Sequence, residues 1–253
     1  MRILFTVCGR AGSKGIVGKN TRDFLGYPLL YYTLSAIQLY LKENQEDNID
    51  VAVNSDSEAL LLLAKNNPFL PIYTVQRDAS LGGDLVPKPA VINNTLLTMT
   101  QKQGYTYDMV VDLDITSPLR KVADISRLVN TQKRERADVT FSVTDSRRNP
   151  YFNMVTEKET GYKQVCDSNF VTRQQAPKIY DMNASMYAYD PNFLKTEKRV
   201  LDGRCQIIQM VDTAVLDLDH EGDFELLQVI AKHFYDTDIG FGAVYTNIVN
   251  NCR

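Results

Sequence analysis

Short apolar runs alternate along this chain with longer segments whose apolar positions recur every three or four residues. The short runs, Ile3 to Val7, Ile49 to Asn54, Ile72 to Gln76, Met109 to Leu113 and Val139 to Val143, predict buried strands. The periodic segments, Leu29 to Leu41, Ser57 to Asn66, Pro89 to Gln101 and Ala123 to Lys133, predict helices, the second started by the short polar side chains of Ser55-Asp56-Ser57. Alternation of this kind predicts an α/β fold, a mainly parallel Rossmann-like sheet with helices on both faces. Near Asn149 the texture changes. Tyr151 to Val155 and Tyr162 to Val165, joined through Glu159-Thr160-Gly161, predict a hairpin, so that residues 147–188 read as a lobe inserted into a single domain spanning 1–253. Beyond it, Ser185 to Tyr189, Gln206 to Met210 and Val215 to Leu218 predict strands, Asp223 to Phe234 predicts a closing helix, and Gly240 to Arg253 predicts an extra strand or a subunit contact.

With 253 residues and 44% apolar content, the chain can bury a substantial core. Its net charge of -3 argues against general nucleic-acid binding, so any anionic ligand must be held by a local cluster of cations. Cys8, Cys166, Cys205 and Cys252 form no C-x-x-C pair, which predicts free thiols in a reducing cytoplasm rather than a disulfide scaffold or a zinc site. No apolar run approaches the roughly 18 to 20 residues of a membrane span. His220 and His233 are the only histidines and no G-x-S-x-G elbow is present, so a histidine-dependent nucleophile is poorly supplied.

Candidate chemistry gathers at strand ends, where open parallel sheets bind ligands. After the first strand comes Cys8-Gly9-Arg10-Ala11-Gly12-Ser13-Lys14-Gly15-Ile16-Val17-Gly18-Lys19-Asn20, with four glycines for a turning backbone, three cations and a hydroxyl. That combination suits a polyphosphate. It is not a Walker A loop, since Ser13 and Asn20 stand where that motif needs Gly and Ser or Thr, and its glycine spacing is not that of a dinucleotide loop. Asp217 and Asp219 sit at i and i+2 of a predicted strand end, where two carboxylates on one face suit a hard dication. Asp112 and Asp114 form a second pair at the same spacing, and spacing does not choose between them.

The element Arg10-x-Gly12-Ser13-Lys14-Gly15-x-x-x-Lys19-Asn20 resembles the signature of the acylneuraminate cytidylyltransferase family, whose members make CMP-sialic acids. Thr116-Ser117-Pro118-Leu119-Arg120 is similar to that family's T-S-P-L-R element, with Asp114-Ile115 replacing the usual Gln-Pro and Arg120 expected to hold the loop through an ion pair. Arg77 with Leu81 and Asp84 matches its R-x-x-x-L-A-x-D segment, and Lys88 stands where a small hydroxyl residue is common. Asp217-Leu218-Asp219-His220-Glu221-Gly222-Asp223-Phe224-Glu225 resembles its acidic element. The resemblance implies a nucleotidyltransferase fold and transfer of CMP from CTP to the 2-hydroxyl of an acidic nine-carbon sugar. It implies Arg10, Ser13, Lys14 and Lys19 on the triphosphate, Asn20 and Arg77 on the nucleoside, and Mg2+ on Asp217 and Asp219, with Arg10, Lys19 and Asp217 as catalytic residues. The inserted lobe, from Arg147-Arg148-Asn149-Pro150 to Met186-Tyr187, looks like the legionaminic acid branch. It implies Asp114, Arg173, Asn183 and Tyr187 on the sugar, and a homodimer formed through the lobe. N-acetylneuraminic acid and the eight-carbon acid KDO are the alternative acceptors, and a glycosyltransferase using Asp112-x-Asp114 for its metal is the rival from another class.

Overall fold

The computed structural model describes residues 1–253 apart from Ser13, Lys14, Val17, Asp84, Leu85, Glu197, Val215, Asp217 and Asp219. In chain order its elements begin with β1 (Arg2–Cys8), the short ribbon β2 (Asp23–Phe24) and β3 (Tyr27–Pro28), α1 (Leu29–Glu43), β4 (Asn48–Ser55), α2 (Glu58–Lys65) and β5 (Tyr73–Gln76). They continue through α3 (Lys88–Gln103), β6 (Met109–Leu113), α4 (Val122–Glu135), β7 (Val139–Asp145), the hairpin β8 (Val155–Lys158) and β9 (Gly161–Gln164), and β10 (Tyr180–Tyr189). The last are α5 (Pro191–Leu194), β11 (Cys205–Gln209), α6 (Glu221–Thr237) and α7 (Ile239–Asn251). Ser57 caps α2 as its short hydroxyl side chain predicts, accepting from the Leu60 N–H at 3.3 Å.

Seven strands form one sheet in the order β11-β7-β10-β6-β1-β4-β5. All its pairings are parallel except those of β10, which runs antiparallel to both β6 and β7. Alternation along the strands sorts the two faces. Ile3, Phe5 and Val7 of β1, with Met109, Val111 and Leu113 of β6, join the core shared with α1, α4, α6 and α7. Leu4 and Val110 point the other way, into the smaller core built with Ile92, Leu96 and Met99 of α3. Thr6 and Asp112 are register partners on that second face, so the alternation that packs the strands also delivers a carboxylate beneath α3.

Three expectations change. The hairpin is displaced toward its turn because the buried Asn149 coils the residues after it. Its carbonyl accepts from the N–H groups of Phe152, Asn153 and Met154, and its Oδ1 accepts from Tyr151 N at 2.9 Å. The segment predicted as a strand over Val215 to Leu218 lies partly outside the described residues, and Leu216 and Leu218 are not in a strand, following a single helical turn over Asp212–Ala214. The tail is a helix rather than a strand. Asp238 caps α7 by accepting from Gly240 N at 2.8 Å, and Phe241, Val244 and Ile248 recur on one buried face against α1. No helix among the described residues is long and apolar enough to cross a membrane.

If α7 is part of the core, Phe241→Ala should lower the unfolding free energy in urea by about 3 to 5 kcal/mol, the usual cost of truncating a buried Phe. A change below about 1 kcal/mol would mean that the helix contributes little to the fold.

Candidate active site

β1, β4, β5 and β6 end at one edge of the sheet, and the segments leaving β1, β5 and β6, with the start of α3, enclose a cavity of about 270 Å³ lined by Arg10, Lys19, Asn20, Arg77, Lys88 and Asp114 among others. The glycine-rich segment is fastened to the neighbouring strand. Gly9 N donates to Asn54 O at 3.1 Å and Ala11 N to Asp56 Oδ1 at 2.8 Å, while Asn20 Nδ2 donates back to Arg10 O at 3.0 Å. Two glycines have identifiable reasons. A Cβ on Gly9 would collide with Leu60 and with Ile115 Cδ1 at 2.9 Å, and Gly18 has φ +64°, a left-handed conformation that favours glycine. Lys19 follows directly, and its Nζ donates to Leu218 O at 2.7 Å. Arg22 forms an ion pair with Glu221 at 2.6 Å in the same region, so two contacts bring the start of the chain to the acidic segment near its end.

Ser13 and Lys14, expected on the triphosphate, lie outside the described residues, as do Asp84 and the acidic pair Asp217 and Asp219. Leu218, between the two acids, is buried, and it is this residue whose carbonyl receives Lys19. Arg77, expected on the nucleoside, lines the same cavity as Arg10 and Lys19. It is buried at the end of β5, its Nε donating to Asn54 Oδ1 at 2.9 Å and a terminal nitrogen to Asn54 O at 3.2 Å. These partners are neutral, so the guanidinium keeps its charge for a ligand. Arg120, expected in an ion pair, departs from that expectation. Fully buried, it donates to the carbonyls of Asp114 at 2.9 Å and Ser185 at 3.0 Å, joining the β6 loop to β10 through carbonyl oxygens. Burial lowers its pKa to about 10.

Lys88 was expected only as a replacement for a hydroxyl, and it stands at the centre of the site. Its Nζ lies 2.8 Å from Asp112 Oδ2 and 2.7 Å from Asp114 Oδ2. Burial opposes the charge on Asp114, but Lys88 and the Thr116 hydrogen bonds outweigh it and hold the carboxyl at about 2. Burial also opposes the charge on Lys88, yet the two carboxylates push its pKa well above the ordinary lysine value. The same burial drives the nearby Cys8 thiol upward, making it a poor nucleophile. An ammonium thus occupies the Asp112-x-Asp114 pair, which removes the metal motif that a glycosyltransferase reading needs. Among the described residues no group of three or more His, Cys, Asp or Glu is placed to hold a metal.

Next to this cavity, beyond Thr116 and Ser117, lies a larger one of about 670 Å³, lined by Ser117, Thr144, Arg148, Asp181, Asn183 and Leu216 among others. Asn183 Oδ1 accepts from Ser142 Oγ at 2.6 Å, while its buried Nδ2 has no partner among the described residues. Arg173 lines a third cavity of about 300 Å³ that shares Asp145, Ser146 and Arg148 with the second, and it donates to Ser146 O at 2.9 Å. Tyr187 lines none of the three. Its ring stacks on Tyr189 at 5.8 Å, and a register shift of β10 between Met182 and Tyr187 separates it from Asn183. The structure therefore gathers Arg10, Lys19, Asn20, Arg77 and Asp114, and puts Asn183 and Arg173 in adjoining spaces. Lys88, Asn54 and Asp56 are the site residues that sequence patterns did not single out for these contacts. The Pro87-Lys88-Pro89 helix start was the available signal.

The sequence matches the family model described as cytidylyltransferase over residues 4–234. It is 31% identical over 230 residues to the post-translational flagellin modification protein B of Campylobacter coli, covering 91% of this chain and 95% of that protein. It is 28% identical over 228 residues to the CMP-N,N'-diacetyllegionaminic acid synthase of Campylobacter jejuni, covering 90% and 94% respectively. The fold resembles the solved structure of CMP:2-keto-3-deoxy-manno-octonic acid synthetase complexed with CTP, with a TM-score of 0.65 over 92% of this chain and 99% of that one; at 11% identity this likeness concerns the fold alone.

Acid should reveal the Lys88–Asp114 pair. An unfolded aspartate titrates near about 3.9, whereas folded Asp114 is held at about 2. A depressed folded pKa contributes stability that is complete above the unfolded value and is lost as pH falls through the folded one. Asp114→Asn lacks that contribution at every pH, so the gap in melting temperature between the two proteins should be constant above about pH 5 and should close toward pH 2. A gap unchanged over that range would show that the pair does not stabilise the fold.

Proposed function

Because the chain belongs to the cytidylyltransferase family and is a CTP-dependent nucleotidyltransferase, we infer that it transfers CMP to the 2-hydroxyl of an acidic nonulosonic sugar, with legionaminic acid favoured. The observation that carries this reading is the cation-lined cavity opening beside a larger one in which Asn183 keeps an unpartnered amide. The 2-hydroxyl gives its proton to a base, a role open to Asp217 or Asp219, its oxygen attacks the α-phosphorus, the bond from that phosphorus to the bridging oxygen breaks, and pyrophosphate leaves. Negative charge grows on the leaving group, so preplaced cations are the main requirement. Arg10, Ser13, Lys14 and Lys19 serve the triphosphate, and Asn20 and Arg77 the nucleoside. Lys19 is well suited to respond to that charge, because its present partner is a carbonyl and an anion would bind the ammonium more strongly.

Asn183 Nδ2 is suited to a hydroxyl or acylamino oxygen, and the planar fork of Arg173 to the sugar carboxylate, with Asp114 on the side of the nucleotide cavity; Tyr187, which lines none of the three cavities, drops out of the sugar contacts. Asp217 and Asp219 hold Mg2+ in this reading, supported by the position of Leu218 between them against Lys19. The ion, when bound, supplies charge neutralisation at the phosphates. The lobe also offers a contact to a second copy, since Met154, Val155, Phe170, Val171 and Met182 are exposed there. We assign the homodimer to that face.

Pyrophosphate release from CTP should be fastest with legionaminic acid when that sugar, N-acetylneuraminic acid and KDO are compared side by side. Faster turnover of either of the others would reassign the acceptor, and release with none of the three would sink the sugar class. Lys19→Ala should lower kcat by about 10²- to 10³-fold with a smaller effect on the KM for sugar, the pattern of a group acting on developing charge. An unchanged rate would make Lys19 purely structural. Asp217→Asn should abolish turnover while leaving the melting curve intact, and near-normal activity at saturating magnesium would refute the metal assignment.

A further inference from the structure

Asp112 is a fully buried carboxylate that the strand pattern places under α3. Its Oδ1 accepts from Thr6 Oγ1 at 2.8 Å, but no donor is aligned on its Oδ2 for a hydrogen bond. What balances that oxygen is the Lys88 ammonium at 2.8 Å, which is also 2.7 Å from Asp114 Oδ2. A buried charge is tolerable only when paired, so the Asp112–Asp114 pair requires a cation at this point. In an Asp-x-Asp pair that point would otherwise suit a bridging dication.

Two further features show that Lys88 is not an incidental partner. It is the first residue of α3, where the helix dipole disfavours positive charge, so local helix energetics do not explain a lysine there. Its side chain keeps 31% of its surface exposed and lines the cavity shared with Arg10, Lys19 and Arg77. An ammonium has three donors, of which the hydrogen bond to Asp114 takes one, so that even with Asp112 beside it a donor remains for a ligand in that cavity.

We propose, taking the CTP reading of this cavity as given, that Lys88 is a nucleotide-contacting residue acting as a tethered cation. It fills the divalent-ion position between Asp112 and Asp114 and gives its remaining N–H to an acceptor oxygen or nitrogen of the bound nucleotide. Removing the amine should therefore do two things at once, weakening CTP binding and opening the carboxylate pair to a metal ion.

The test uses wild type, Lys88→Ala and the double variant Lys88→Ala/Asp112→Asn. Titration of the nucleotide-free proteins with Mn2+, followed by electron paramagnetic resonance, should find one more bound ion per chain in Lys88→Ala than in wild type. The double variant should return to the wild-type count. Calorimetry of CTP binding in chelator should show affinity reduced by about ten- to a hundredfold in both variants, the loss of one charged hydrogen bond. No additional manganese in Lys88→Ala, or wild-type CTP affinity in either variant, overturns the proposal. Should Lys88→Ala fail to fold with Asp112 unpaired, the double variant, which loses the buried charge with its partner, still decides the nucleotide contact. Wild type that binds no CTP would overturn that contact together with the CTP reading; wild type and variants binding equally well would overturn the contact alone.

Discussion

One hydrogen bond, from Lys19 Nζ to the carbonyl of Leu218, connects residues 199 positions apart and closes the site. It requires the loop after β1 to return across the sheet edge, which Gly9 and Gly18 permit by close approach and left-handed backbone. It also requires the chain after β11 to leave the sheet, which the helical turn at Asp212–Ala214 begins. The Arg22–Glu221 ion pair is exposed and adds little energy alone, but it fastens the start of α6 to the same loop.

Three cations of this cavity, Lys19, Arg77 and Lys88, are held in two ways, and the difference governs what each can do. Lys19 and Arg77 rest on carbonyl and amide oxygens, partners that orient a charge without cancelling it. Lys88 rests on two carboxylates, which cancel it and fix it firmly. A chain with net charge -3 can therefore present a local positive field to a triphosphate through Lys19 and Arg77, while Lys88 offsets part of the charge of its two acids. Arg120 belongs to neither group. It is spent on carbonyls and holds the β6 loop against β10, giving the Asp114 backbone a fixed position.

β10 links the two halves of the site. As the antiparallel strand between β6 and β7, it lays Tyr187 beside Asp112 at one end. At the other end it carries Asn183 to the larger cavity. The register shift between Met182 and Tyr187, with Ala184 at φ +53°, makes this possible, since a regular strand would hold both residues to one alternation. One end of β10 thus lines the larger cavity, while the other packs beside the strand that carries Asp112.

Sequence by itself determined the α/β alternation, the strands and helices of the main sheet, the family, and the gathering of Arg10, Lys19, Asn20 and Arg77 at strand ends. The elements follow from periodicity and local composition, which act over a few residues, whereas the family and the roles of these residues rest on the resemblance of separated motifs. The tertiary structure alone decided the rest. The glycine-flanked tail became α7 because Asp238 caps it and α1 offers an apolar face to Phe241, Val244 and Ile248. The hairpin slid because Asn149 found a turn to stabilise. Lys88 met Asp112 and Asp114 because sheet register and the axis of α3 converge there, and no spacing along the chain encodes a contact that depends on where two separate elements lie in space.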